Sequence, residues 1–188
     1  MIAAQAERLR EVLLEPAEAF SVAPGGSARA AVLVPLHERE GELCAVFTQR
    51  PQDLPRHAGQ ISFPGGRVED ADADLIATAL REAHEEIGLP PSAVELLGAL
   101  RPIHVAASDF AVYPLVGLIE RPAAWVPAAG EVAAIHELTL AELAAGAGRA
   151  VIVLPEGERE TPTFMAGGLV IWGATAIMVA DLLARLGP

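Results

Sequence analysis

Lysine and asparagine are absent from this 188-residue chain, and cysteine occurs once, at Cys44. A single thiol excludes an internal disulfide and fits a reducing, cytoplasmic setting. Aromatic residues make up 4% of the chain and charged residues 20%. Long apolar runs are missing too. The most apolar stretches, 29–35 and 167–180, are short or broken by Gly and Trp, below the ~20 residues that a membrane span needs. The first residues, with Gln5, Glu7, Arg8, Arg10 and Glu11, predict an amphipathic surface helix rather than a signal peptide. Proline and glycine are scattered rather than massed, which excludes a disordered chain.

What is present is a 52% hydrophobic chain, enough for one sizeable core and too little for two ordinary ones. Residues 1–188 are therefore expected to form one domain, with 1–27 an N-terminal helix and turn. The basic residues are 13 arginines against 25 acidic residues, a formal net charge of -12. Such a surface disfavours non-specific nucleic-acid binding. An anionic substrate would have to be held by local arginines or by a metal cation, against the global field.

The apolar pattern predicts a helix over Ala3–Leu14, a buried strand over Arg29–Leu36, a turn over His37–Gly41 and a partner strand over Glu42–Gln49. Residues 50–66 carry Pro51, Pro55, Pro64, Gly59, Gly65 and Gly66 and read as a structured loop, longer than most connections. The strongest helix is Asp74–Ile87, where Leu75, Ile76, Ala79, Leu80, Ala83 and Ile87 recur at helical spacing and Gly88 supplies a stop. Strands are expected over Val94–Pro102, Val112–Ile119 and Glu131–Leu138, with a short helix over Thr139–Ala144. A hairpin of Val151–Leu154 and Thr163–Ile171 should turn at Glu156–Glu160, and a helix over Ala174–Leu186 should follow. Strands and helices in this order suggest a mixed α/β domain.

Chemistry concentrates on the polar face of the Asp74–Ile87 helix. Glu82 and Glu86 are i and i+4 and share a face, with Glu85 beside them. Like charges at this spacing repel. A cluster of hard oxygen ligands on a rigid element suits Mg²⁺, whose shell is usually completed by water and substrate phosphate. The plainer reading of such a run is a solvated acidic face.

The context favours the first reading. Gly66, five residues, Asp72, and then Arg81-Glu82-Ala83-His84-Glu85-Glu86-Ile87-Gly88-Leu89 resemble the Nudix box, G-x5-E-x7-R-E-U-x-E-E-x-G-U with U aliphatic. The box covers residues 66–89. Asp72 stands where Glu is usual, and one extra residue separates it from Arg81. Upstream, Thr48-x-Arg50 and Leu54-x-Arg56-His57-x-Gly59-Gln60-Ile61-Ser62-Phe63-Pro64-Gly65-Gly66 are similar to the signature of the coenzyme A pyrophosphatase branch. The likeness extends over about residues 28–186. It implies the Nudix α/β/α sandwich with a mixed central sheet and hydrolysis of a diphosphate dependent on Mg²⁺ or Mn²⁺. The substrate it implies is coenzyme A or a derivative, cut to 3′,5′-ADP and 4′-phosphopantetheine. Alternatives are a Nudix hydrolase of another nucleoside diphosphate derivative such as ADP-ribose, and a non-catalytic nucleotide sensor. The presence of all three box glutamates weighs against the sensor.

On this reading Glu82 and Glu86 are expected metal ligands. Glu85 is a third ligand or a base for the attacking water, and spacing leaves that open. Glu131 is a second candidate base, from a distant segment. Arg81 is expected to orient the carboxylates through charge-assisted bonds. Gly65 and Gly66 are expected to permit tight backbone between strand and helix. Arg50, Arg56 and Arg67 are candidate phosphate contacts, since Arg suits bidentate phosphate recognition. His57 reads more as a brace of the loop. His37, His104 and His136 are isolated, which argues against zinc; Cys44, Trp125 and Trp172 read as packing residues. The expected partner is a small phosphorylated molecule, with no nucleic acid and no membrane, and homodimerisation is left open.

Overall fold

The computed structural model describes residues 2–53, 58–154 and 157–187. Helices α1 (Ile2–Val12) and α2 (Pro16–Ser21) precede strands β1 (Ala28–Arg39) and β2 (Glu42–Gln49). Short strands β3 (Ile61–Ser62) and β4 (Gly65–Arg67) lead into α3 (Leu75–Ile87). A 3-10 turn at Pro91–Ala93 opens onto β5 (Val94–Ala99), β6 (Ile103–Val105) and β7 (Phe110–Ile119). Next come β8 (Ala134–Thr139), α4 (Leu140–Ala145), β9 (Ala147–Leu154), β10 (Gly157–Ala166), β11 (Leu169–Ile171) and α5 (Gly173–Leu186).

The first eight strands form one mixed sheet. β1 lies at its centre and runs parallel to β7 from Ala28↔Phe110 to Leu36↔Leu118. Both faces of β1 are covered, which explains why its sequence is an almost unbroken apolar run rather than an alternating one. On its other side β1 pairs with β2 only through Leu36–Arg39. Beyond that the two strands diverge. β3 fills the gap by pairing with Thr48 and Gln49 of β2, and β4 by pairing with Ala30–Val32 of β1. Residues 61–66 are thus driven into a fork of the sheet, and Pro64 O accepts a bond from Leu33 N.

One face of the sheet packs against α3, where Leu75, Ala79, Ala83 and Ile87 meet Ala31, Leu33, Val46 and Leu115. The other face packs against Leu9 of α1, Leu143 of α4 and Val179 and Leu182 of α5, with Phe47 stacked on Phe63 at 4.6 Å. Each such fully buried side chain contributes about 1.5–3 kcal/mol. This is the expected α/β architecture with helices on both sides of a mixed sheet. Among the described residues no helix is long and apolar enough to cross a membrane.

Four local expectations are corrected. β8 begins at Ala134, because Glu131 N and Val132 N both turn back to Ala128 O at 3.2 and 3.0 Å and cannot join a ladder. The expected strand Thr163–Ile171 is broken by Gly167 and Gly168, both at positive φ, and folds as the hairpin β10–β11. Glu158–Glu160 lie within β10 rather than in a turn, and residues 155–156 are outside the described residues. Trp172, at the N-terminal cap of α5, is 48% exposed rather than packed. Cys44 is fully buried.

Candidate active site

The helix α3 starts and stops for identifiable reasons. Asp74 caps its N-terminus, Oδ1 accepting from Ala77 N at 2.8 Å. Gly88 ends it in the left-handed region at φ 71°. A Cβ at Gly88 would also collide with Val126 of the loop packed there. Burial of Leu75, Ala79, Ala83 and Ile87 turns the opposite face, with Glu82, Glu85 and Glu86, toward β4 and that loop.

The first half of the site is organised by Arg81. Its Nε and Nη2 donate to the two oxygens of Asp72 at 2.9 and 3.0 Å, and Nη2 also donates to Arg67 O at 3.0 Å. Nη1 donates to Glu82 Oε1 at 2.9 Å and to Glu85 Oε2 at 3.1 Å. Asp72 Oδ2 accepts as well from Glu69 N and from Thr78 Oγ1, both at 2.9 Å. The Arg81 guanidinium, together with these donors, holds the Asp72 carboxyl well below the usual carboxylate range. Glu85 is half exposed.

The second half lies one turn further along. Burial, with Glu82 and Glu131 adding like charge, pushes the Glu86 carboxyl up to about 8. Arg50 and the backbone N–H of Gly65 oppose that shift without cancelling it. Burial also raises Glu82, against the pull of Arg81. A Cβ at Gly66 would press on the Glu82 carboxylate, so a side chain there requires that carboxylate to shift. Arg50 is held by its own backbone N bonding Gln60 O at 3.0 Å, and its buried Nε has no hydrogen-bond partner among the described residues. Arg67 is exposed on β4, its guanidinium 5.4 Å from the centre of the Phe110 ring. Arg56 and His57 lie outside the described residues.

The structure therefore brings Arg50, Gly65, Gly66, Arg81, Glu82, Glu86 and Glu131 to one end of α3. Glu131 arrives on the loop of residues 120–133, strapped to the C-terminus of α3 by Ala128 N donating to Glu86 O at 2.9 Å and Val126 N to Ile87 O at 3.3 Å. The donor set is oxygen only, suited to a hard divalent cation, and the repulsion on Glu86 is what a cation relieves. Among the described residues no three acidic, His or Cys side chains already stand together as a metal-binding group, because Arg81 takes up Glu82 and Glu85. Two surface hollows, lined by residues of α1, β2, α4 and α5, lie across the sheet from these groups.

A family model of the NUDIX domain matches residues 27–156. This chain belongs to the Nudix family. Its members hydrolyse pyrophosphate bonds of nucleoside diphosphate derivatives, and the chain is a hydrolase of that class. Nudix hydrolases generally use divalent ions, typically Mg²⁺ or Mn²⁺. An uncharacterised Nudix hydrolase, NudL, of Cronobacter sakazakii is 39% identical over 161 residues, covering 85% of this chain and 83% of that protein. NudL of Salmonella paratyphi B is 38% identical over the same shares. Among solved structures, a C. elegans Ap4A hydrolase complex shares the fold with TM-score 0.51 and 19% identity, covering 61% of this chain and 81% of the other. The Nudix hydrolase RenU of M. smegmatis does so with TM-score 0.52 and 18% identity, covering 64% and 75%.

The departure in this Nudix box has a physical account. Asp72 is one methylene shorter than Glu, and it closes a turn in which Asp72 N bonds Glu69 O at 3.0 Å. The shorter side chain still meets the guanidinium with both oxygens. Sequence reasoning missed another group altogether. Glu137 on β8 receives Arg121 and Trp125 and lies beside buried His37. The available signal was a long loop carrying one Arg and one Trp.

Proposed function

We propose that the protein hydrolyses the diphosphate of coenzyme A or a coenzyme A derivative, releasing 3′,5′-ADP and 4′-phosphopantetheine or its acyl form. The observation that carries the site assignment is Glu86, buried beside Glu82 and Glu131 and raised to about 8 with Arg50 as its nearby cation. A group of carboxylates that concentrates negative charge in this way accepts an anionic diphosphate when divalent ions are bound. Glu82 and Glu86 would hold the metal, Mg²⁺ or Mn²⁺, with Glu85 able to join them from the outer side. When bound, the ion offsets the charge of the diphosphate and lowers the pKa of a coordinated water.

The chain's own residues supply the rest. Asp72 fixes Arg81, and Arg81 fixes the angle of Glu82 and Glu85. Arg50, whose buried Nε is unpaired among the described residues, serves as a phosphate contact from the loop wedged between β1 and β2. Glu131, brought to Glu86 by the loop at 120–133, serves as the base that takes a proton from the attacking water. That places the base off α3 and leaves Glu85 to the metal side. The coenzyme A assignment is supported by the signature residues Thr48 on β2, Arg50, and 60–66, the last of which pair with β2 and β1 as the wedge. Arg56 belongs to the same signature, and Arg67 lies on β4 next to Gly66.

The test is direct. Purified protein with Mg²⁺ or Mn²⁺ should convert coenzyme A to 3′,5′-ADP, followed by chromatography. Turnover confined to ADP-ribose or nucleoside triphosphates would overturn the substrate and leave the class standing.

A further inference from the structure

The segment 120–133 joins β7 to β8 without regular secondary structure of its own. Fixing each residue of such a segment costs about 1–2 kcal/mol of backbone entropy, so seating one carboxylate at its far end needs several ties. In the middle, Val126 N and Ala128 N satisfy carbonyls at the C-terminus of α3 that the helix itself leaves open. At the end, Ala133 N donates to Gln49 O at 2.8 Å. The start of the loop has a different kind of tie, made by side chains to a single carboxylate.

That carboxylate is Glu137. Its side chain is only 11% exposed. Arg121 Nε lies 3.0 Å from each of its oxygens, and Arg121 Nη2 lies 2.9 Å from Oε1. Trp125 Nε1 donates to Oε1 at 2.5 Å, and His37 Nε2 stands 3.2 Å from Oε2. Burial works to raise the Glu137 carboxyl, but Arg121, Trp125 and His37 outweigh it and hold it below its usual value. The two donors from the loop precede Val126 and Ala128 in sequence, so they set where the loop begins its approach to α3. At the point of contact the packing is tight, with Val126 against Gly88.

We infer that Glu137 is a positioning residue for catalysis, anchoring Arg121 and Trp125 so that the loop seats Glu131 against Glu86. The inference rests on Glu131 being the base. Glu137 itself reaches the site only through that loop, and its pairing partner across the sheet is Val46. A fold anchor and a base-positioning anchor differ in one measurable way. Loss of a fold anchor lowers activity whatever residue stands at 131, whereas loss of a positioning anchor matters only while a carboxylate is there.

The experiment is a double-mutant cycle on the full chain with Mn²⁺ and coenzyme A, with thermal melts alongside. Glu131→Gln should lower kcat by about a hundredfold or more, the scale of a lost general base. Glu137→Gln should lower kcat by about tenfold with KM within about twofold, the scale of a slight misplacement. Arg121→Gln, at a side chain 44% exposed and so safe for folding, should reproduce that split. Adding Glu137→Gln or Arg121→Gln to Glu131→Gln should change kcat by less than about twofold, because the sites are coupled. Wild-type kcat in both anchor variants, or equal losses with and without Glu131, would overturn the inference. Wild-type turnover in Glu131→Gln alone would remove the base assignment, and the anchor's role with it, while coenzyme A cleavage itself stood.

Discussion

One helical turn of α3 separates two acidic environments built from the same residue types. Around Arg81, each carboxylate has a cation: Asp72 is gripped by two nitrogens, and Glu82 and Glu85 share a third. Around Glu86, burial removes water while Glu82 and Glu131 add negative charge, and the opposing Arg50 does not restore balance. In the first environment Asp72 is held well below the usual range while burial still raises Glu82; in the second Glu86 is raised to about 8. The difference is one of compensation rather than composition. A satisfied cluster stabilises the fold, and an unsatisfied one leaves electrostatic work for a ligand to do.

The largest effect should come from the unsatisfied side. Glu86→Gln should lower metal-dependent turnover by about a hundredfold or more, since it removes a proposed ligand charge. The same variant should melt higher than the parent in chelator at pH 9, where the parent must hold a buried carboxylate ionised. The sign follows from proton linkage: a carboxyl raised in the fold keeps a proton that the unfolded chain releases, so stability falls as pH climbs through that window. A lower melting temperature for the variant at pH 9 would show that the two environments do not differ as described.

The satisfied side should answer in stability first. Asp72→Asn should cost about 2 kcal/mol at pH 7, as expected for a half-broken, largely buried ion pair. Here the sign is opposite. A depressed carboxyl contributes stability that is complete above its unfolded value and is lost as pH falls toward its folded one. The gap between parent and Asp72→Asn, read by urea titration, should therefore narrow as the pH is lowered below about 4. A gap that stays constant would remove the Arg81 pairing as its cause.

Gly66→Ala sharpens the comparison at its boundary, because the new methyl would displace Glu82 from Arg81. It should reduce turnover by about tenfold or more, the cost of misplacing a reacting group, with only a modest change in melting temperature. The smallest effect is a control on a remote pair. Arg149 and Glu160 join β9 to β10 at 2.7 Å, but both are more than half exposed. Arg149→Gln should change stability by less than about 1 kcal/mol and leave turnover unchanged.

Much of the fold was legible in local pattern. The strand Glu42–Gln49 has the bounds read from the sequence, and the expected helix Asp74–Ile87 differs only in that Asp74 is its cap. These segments carry their own start and stop chemistry. The short strands β3, β4 and β6 and the helix α2 were not legible, because two or three residues become strand only when a neighbour offers a ladder. Trp172 was misjudged because hydrophobicity alone does not say whether the residue that caps a helix is covered by the rest of the chain. At the candidate site the sequence listed Glu82, Glu85, Glu86 and Arg81 on one helix face. It led to the expectation that Arg81 orients the carboxylates, but not that Arg81 would take Glu82 and Glu85 and leave Glu86 apart.

What the sequence by itself determined is the chemical inventory: a carboxylate helix with its cap and stop, a glycine pair before it, arginines around it, and a resemblance to the Nudix box. These are short-range properties, set by helix geometry and by which side chains carry charge. Only the tertiary structure decided which charges are compensated. Glu131 lies far from the box in sequence, and its effect on Glu86 depends on where a long loop is tied and how much water the packing removes. Electrostatic energy varies with distance and burial, and neither is written in residue order.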